Sequence, residues 1–220
     1  MARPKTPRRT IIGSGPPRFG KLVRNRSRKL RRCGVLTAGD VTVRPMELED
    51  IPLLHEWSKD LEIEHQSGWA PWMSRARFDR RWEDFIREPP EDLVLLGIQY
   101  RAALVGYVEL AGLSHRERRA AIGFVVADRA VRRQRVGATA VILAMDYGFS
   151  LEDLDRIYAE VYPFNLPSLR LLEQVGFQRE GVLRQHEVHQ GRRTDLVILG
   201  MLRQEFYAHH PSRLPGGFSN

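Results

Sequence analysis

Two stretches of this chain combine residue types and spacings that could do chemistry. In the first, Arg132-Arg133-Gln134-Arg135-Val136-Gly137-Ala138-Thr139 lies between an apolar run at 119–126 and a helical pattern that begins at 136. A helix starting directly after a strand presents free backbone N–H groups and the positive end of its dipole, and both suit a diphosphate. In the second, 156–162 reads as a short apolar strand that meets a turn at Pro163. Asn165 then has the type and position of an N-cap. Leu169, Leu172 and Val175 recur on one helical face, and Gly176 stops the helix before Phe177 opens a new extended run. Further on, Glu187 stands among His186 and His189 on an expected strand. Alternation of side chains is expected to turn both histidines away from Glu187, which argues against a shared relay. No spacing of His, Cys, Asp or Glu matches a metal site.

The elements that must position these residues follow from periodicity. Residues 41–45 alternate as a short strand closed by a proline, and 47–57 carries Leu48, Ile51, Leu54 and His55 at helical spacing. A tryptophan-rich loop spans 67–74. A second helix is expected over 75–88, with Phe78, Trp82, Phe85 and Ile86 on its apolar side and Pro89-Pro90 ending it. Strands at 93–100, 104–113 and 119–126 are joined by connections short enough to favour antiparallel pairing. A third helix is expected over 136–149 and a fourth over 165–175, with strands at 156–162, near 177–189, and at 192–203. The expected architecture is α/β (α+β): a mixed, mostly antiparallel sheet of six to seven strands flanked by four helices.

Composition bounds what surrounds this core. The chain has 220 residues, of which 42% are hydrophobic, enough for one substantial domain with an appendage. A single cysteine, Cys33, allows neither an intramolecular disulfide nor a thiolate metal cluster, which fits a reducing, cytoplasmic setting. No apolar run approaches the roughly 20 residues of a membrane span, and the N-terminus lacks a secretory signal. The net charge of +8 is unevenly placed, since residues 1–40 hold 12 basic side chains against one acid, Asp40. Positions 41–220 are mildly acidic by comparison. The division expected is a basic, disordered extension at 1–40, a domain at 41–206 and a short tail at 207–220. The run Lys21-Leu-Val-Arg-Asn-Arg-Ser-Arg-Lys-Leu-Arg-Arg32 suits RNA, a ribosome or an anionic surface electrostatically, yet no aromatic residue interrupts it to stack on bases.

The order of one strand, two helices, three strands, helix, strand, helix and two strands resembles the GNAT superfamily of acetyl-CoA-dependent N-acetyltransferases over about residues 41–206. Within that superfamily the chain looks most like the ribosomal-protein N-terminal acetyltransferases of the RimJ/RimL type and the spermidine acetyltransferases. The resemblance implies acetyl-CoA as donor, no metal, and direct attack of a primary amine on the thioester. Residues 132–139 look like the family's pyrophosphate loop, Arg/Gln-x-x-Gly-x-Gly/Ala; Arg132 and Gly137 match its outer positions, and Arg135 stands where glycine is usual. The family's use of the preceding strand implies that backbone groups of Phe124, Val125 and Val126 hold the pantetheine arm. Ser168, three residues after Asn165, resembles the serine placed near the CoA sulfur, and Glu187 takes the position of the subgroup's proposed base. The tyrosine acid common in the family falls on Leu172, and Ala121 replaces a frequent glutamate. Glu109 is the rival base by resemblance to spermidine acetyltransferases. Trp57, Glu62, Glu64, Trp69 and Trp72 could line the acceptor's entrance, where carboxylates would favour a cationic amine; core packing or a dimer contact explains the tryptophans equally well. The acceptor is an amine-bearing small molecule or a protein N-terminus, and a homodimer is compatible with the chain. A second reading is a catalytically weak acyl-CoA-binding protein whose basic tail docks on RNA or ribosomes.

Overall fold

Nearly continuous apolar runs between 93 and 126, covered on both faces, produce the central strands of a single sheet. The computed structural model describes residues 35–67 and 73–211. Its strands are β1 (Leu36–Ala38), β2 (Val41–Pro45), β3 (Leu93–Tyr100), β4 (Ala103–Ser114), β5 (Arg119–Val126), β6 (Arg156–Val161), β7 (Gln178–His189) and β8 (Arg192–Leu202). They lie in the order β1-β2-β3-β4-β5-β6-β8-β7. Every neighbouring pair is antiparallel except β5 and β6, which run parallel because α4 (Val136–Ser150) crosses over between them.

α4 is buried along most of its length, with Val136, Ala140, Val141, Leu143, Ala144, Met145 and Phe149 packed on one face of the sheet. α5 (Leu166–Gln174) adds Leu169 and Leu172 to that core. On the opposite face, α1 (Ile51–Trp57) and α3 (Arg75–Arg87) cover the first half of the sheet through Ile51, Leu54, Phe78 and Tyr107. No helix among the described residues is long and apolar enough to cross a membrane.

The α/β class and the mixed, mostly antiparallel sheet are as expected, but the described residues hold eight strands and six helices. β1 precedes the expected domain start: a tight turn through Gly39 (φ +57°) and Asp40 pairs Ala38 with Val41. These three residues lie ahead of the alternation at 41–45 from which that start was read. α2 (Leu61–Ser67) is too short to declare itself by periodicity; Asp60 accepts a hydrogen bond from the Glu62 N–H at its start, and Ile63 is buried. α6 (Arg203–His209) begins where Glu205 accepts the Leu202 N–H, and it seats Phe206 against Phe149 with centroids 5.2 Å apart. The expected first helix is divided. Asp50 accepts the Glu47 N–H and both terminal nitrogens of Arg44, which fixes a 3-10 turn (Leu48–Asp50) ahead of α1. Most of the tryptophan-rich loop, including Trp69 and Trp72, and residues 1–34 of the basic extension lie outside the described residues.

Leu172 is fully buried beneath α4 and the sheet, so Leu172→Ala should remove about 2–5 kcal/mol of stability. Urea unfolding measures this directly, and a loss well under 1 kcal/mol would show a site able to collapse around the deletion.

Candidate active site

The sheet is continuous except between its two parallel strands. β5 and β6 pair only where Arg119, Ala120 and Ala121 meet Arg156, Ile157 and Tyr158. Beyond that point β5 bonds only to β4 and β6 only to β8, so the strands part toward their C-terminal ends. Gly106 helps hold β5 away from β6: a Cβ there would sit 2.0 Å from the Val125 carbonyl oxygen, so β4 and β5 approach more closely than any side chain would allow. The Ala127 N–H then bonds back to the Val105 carbonyl at 2.9 Å. Phe124, Val125 and Val126, all half-buried, thus line one edge of a split whose backbone groups have no strand opposite.

The loop from β5 to α4 closes one lip of the split. Arg133 and Arg135 both adopt left-handed backbone, with φ +65° and +61°. Arg135 is the N-cap of α4 and supplies no side-chain cap, so the first N–H groups of the helix are left to an external acceptor. Alternating handedness of this kind gathers successive N–H groups into an anion-binding concavity. The loop therefore takes the shape expected of it although Arg135 replaces glycine, at a conformational cost on the order of 1 kcal/mol. Gly137 is buried where a Cβ would meet Leu171 at 3.0 Å and Val126 at 3.2 Å, which lets the helix start press against the strand.

Side chains in this loop are partly engaged elsewhere. Arg132 pairs with Glu62 of α2 at 2.6 Å, and Arg129 reaches Asp60 and Glu62, each at 2.9 Å. Gln134 accepts the Tyr100 hydroxyl and donates to the Ala130 carbonyl, so it braces the loop from behind. Arg133 and Arg135 are exposed, Val136 is in the core, and Ala138 and Thr139 are half-buried in the first turns.

The other lip is the connection from β6 to α5. Asn165 is buried and caps α5, its Oδ1 accepting the Ser168 N–H at 3.2 Å while its amide donates to the Gln66 carbonyl of α2. Ser168 is half-buried in the first turn, and its hydroxyl makes no hydrogen bond among the described residues. Glu187 lies on β7, where the ladder to β8 slips between Leu183 and Glu187 and Gln185 takes φ +49°. Asp195 holds this bulge by accepting the Gln185 N–H at 2.7 Å. The result aims Glu187 inward, where its Oε2 accepts the Tyr162 hydroxyl at 2.7 Å.

The expectation that both histidines turn away from Glu187 holds only for residues one step apart on a strand. His189 is two residues on and shares the face of Glu187, with its ring 4.8 Å from that of Tyr162. Tyr162 is the functional candidate that the residue pattern did not disclose. It follows directly after β6, whose Tyr158 and Glu160 share one face of the sheet, and its parity with them is the signal.

Glu109, the rival carboxylate, stands on β4 opposite Gly123, where a Cβ would lie 2.9 Å from Glu109 Oε1. Burial pushes its carboxyl up to about 7. Burial, and then the charge of Glu187, also raise Glu160. Leu172 lies in the core, so no phenol occupies that position. Trp57 packs on the second cluster, and Glu62 is held by arginines.

An acetyltransferase (GNAT) domain model matches residues 40–178. The chain belongs to the GNAT acetyltransferase family. It is 30% identical over 169 residues to the uncharacterized N-acetyltransferase p20 of Bacillus licheniformis, covering 76% of this chain and 94% of that one. It is 23% identical over 180 residues to the spermidine N(1)-acetyltransferase of Escherichia coli K12, covering 82% and 94%. Among solved structures, RimJ of Mycobacterium smegmatis in complex with CoA-disulfide superposes with a TM-score of 0.64 at 26% identity, covering 78% of this chain and 87% of that one. The spermidine N-acetyltransferase of Vibrio cholerae, in complex with CoA and spermine, gives 0.69 at 22% identity, covering 76% and 98%. The GNAT model match ends at residue 178, ahead of Glu187.

Because the folded protein holds the Glu109 proton more tightly than the unfolded chain, the resulting stabilisation is full at acid pH. It is lost as pH rises through about 7. Glu109→Gln is therefore expected to raise stability at pH 8, by up to about 3 kcal/mol, and to change it much less at pH 5. Thermal unfolding at the two pH values checks this, and equal shifts at both would refute it.

Proposed function

We propose that this GNAT enzyme transfers the acetyl group of acetyl-CoA to a primary amine by direct attack within a ternary complex. The observation that carries this reading is the parting of β5 from β6 beside an uncapped helix start. An unpaired strand edge can bond the amides of a pantetheine arm as another strand would, and the N–H groups around residues 133–138 suit its diphosphate. The CoA-disulfide bound to Mycobacterium smegmatis RimJ supports the same choice of donor.

On this reading a main-chain N–H of the stretch 124–126 polarises the thioester carbonyl, a contact worth about 2.7–4 kcal/mol of barrier. Ser168, beside the Asn165 cap and with a hydroxyl that makes no hydrogen bond among the described residues, stands at the sulfur. Glu187 receives a proton from the amine, and Tyr162, donating to Oε2, fixes the carboxylate that does so. The amide bond forms at the acetyl carbon as the carbon–sulfur bond breaks, and the thiolate leaves with a proton. The acceptor is a small-molecule amine or a protein N-terminus. Half-buried Glu64 and Glu160 on the acceptor side favour a cationic amine, in keeping with the spermidine enzymes among its relatives.

Thiol release measured over a panel of primary amines tests the activity, and absence of turnover with every amine would count against it. For the base, Glu187→Gln should lower kcat by about 10²–10⁴ with the KM for acetyl-CoA nearly unchanged. An unchanged kcat would transfer the role to Glu109, whose elevated carboxyl favours a second reading. In that case kcat/KM climbs with pH around about 7 and Glu109→Gln abolishes the climb.

A further inference from the structure

α2 touches both lips of the split. At its start, Asp60 and Glu62 hold Arg129 and Arg132 of the loop that follows β5. At its end, the Gln66 carbonyl accepts the Asn165 amide at 3.4 Å, and His65 stacks on Phe164 at 4.6 Å with ring planes 20° apart. Both of those partners follow β6. His65 also reaches past the lip to β7, where its Nδ1 lies 3.0 Å from Nε2 of His189. A helix of seven residues thereby bridges the two strands exactly where the sheet itself does not.

The two ends of this bridge differ in chemistry. Arginine–carboxylate pairs persist across the neutral and mildly acid range. The imidazole contact does not, because one nitrogen must donate and the other accept. It survives with both rings neutral or with one proton added. With both rings cationic, two N–H groups face each other and the contact is lost.

We propose that α2 is a strap over the mouth of the split and that His65 and His189 are its latch, closed at neutral pH and released when both imidazoles are protonated. They are positioning residues, since they act by placing α2, with Glu64, beside the acceptor route. That last step rests on the split being the site of acetyl transfer; the latch itself does not.

The surroundings set the direction of the pH response. Glu64 on α2 and Glu187 on β7 favour a charged His189, while burial and His65 disfavour it and prevail, so His189 is held below the usual histidine range. Tyr162 contributes a neutral ring at 4.8 Å, Glu160 and His186 lie nearby on β6 and β7, and Arg192 is the register partner of His189 on β8. A lowered value in the closed form means that the open form binds protons more readily. Closure is then complete above about pH 6.5 and is lost progressively below it.

Hydrogen exchange on the full chain, corrected for the intrinsic pH dependence of exchange, reads the latch without any acceptor. Protection of residues 61–67 should fall at least tenfold between pH 7.5 and 5.0, while α4 keeps its protection. In His189→Gln, which does not titrate, that fall should vanish, whether the strap rests open or closed. A flat profile in the wild type, or an undiminished fall in His189→Gln, would overturn the latch. The positioning role is read separately, as the ratio of wild-type to His189→Gln acceptor KM with the best amine of the panel, so that protonation of the amine cancels. A severalfold change in that ratio between pH 7.5 and 5.5 is expected. A constant ratio alongside a working latch would overturn the positioning role alone.

Discussion

Parallel strands that run side by side normally bond along their whole length, because an unpaired backbone edge inside a protein is costly. Here β5 and β6 separate after three residue pairs, and much of the surrounding structure answers to that separation. Gly106 lets β5 lean toward β4, Gly137 lets α4 begin close against β5, and α5 starts from the opposite lip under the Asn165 cap. The unbonded edges become a place where an extended ligand can complete the sheet. Strand edge, helix start and carboxylate face are brought to one end of the molecule by this single departure from regular pairing.

The electrostatics of the acceptor side follow from what the split leaves exposed. Its carboxylates are not equivalent. Asp60 and Glu62 are committed to arginines, Glu187 to a tyrosine hydroxyl, and Glu109 is held near neutrality by burial. A sequence count of acids overstates the field that an approaching amine would meet. The groups best placed to act on a proton are those whose surroundings set them apart, and Glu109 and Glu187 differ in just this respect.

Much of the fold was legible because long apolar runs bounded by turn residues, and helices with a cap or an apolar face, declare themselves in the sequence. The strands between 93 and 126, the apolar helix after them and the capped helix at Asn165 all lie where those signals place them. Short elements escaped. β1 has three residues, and α2 and α6 have seven each, too few for a period to emerge from local composition. At the site, Asn165 and the loop before α4 were readable from local chemistry. The contact of Tyr162 with Glu187 was not, since it depends on which strands become neighbours and on a bulge stabilised by Asp195, whereas the shared face of Glu187 and His189 follows from their two-residue spacing alone. The left-handed conformation at Arg135 could not be read from an arginine at all, because its residue type argues against it.

The bulge in β7 has an implication for how such an enzyme changes over generations. Between Leu183 and Glu187 one strand spends four steps while the other spends two, so the inward aim of the carboxylate depends on an even difference. Loss or gain of one amino acid there would reverse the side to which Glu187 projects, yet the hairpin beyond it would still zip and the hydrophobic interior would be untouched. Length variants in this hairpin would thus carry the Glu187 carboxylate away from Tyr162 while leaving the folded interior as it is.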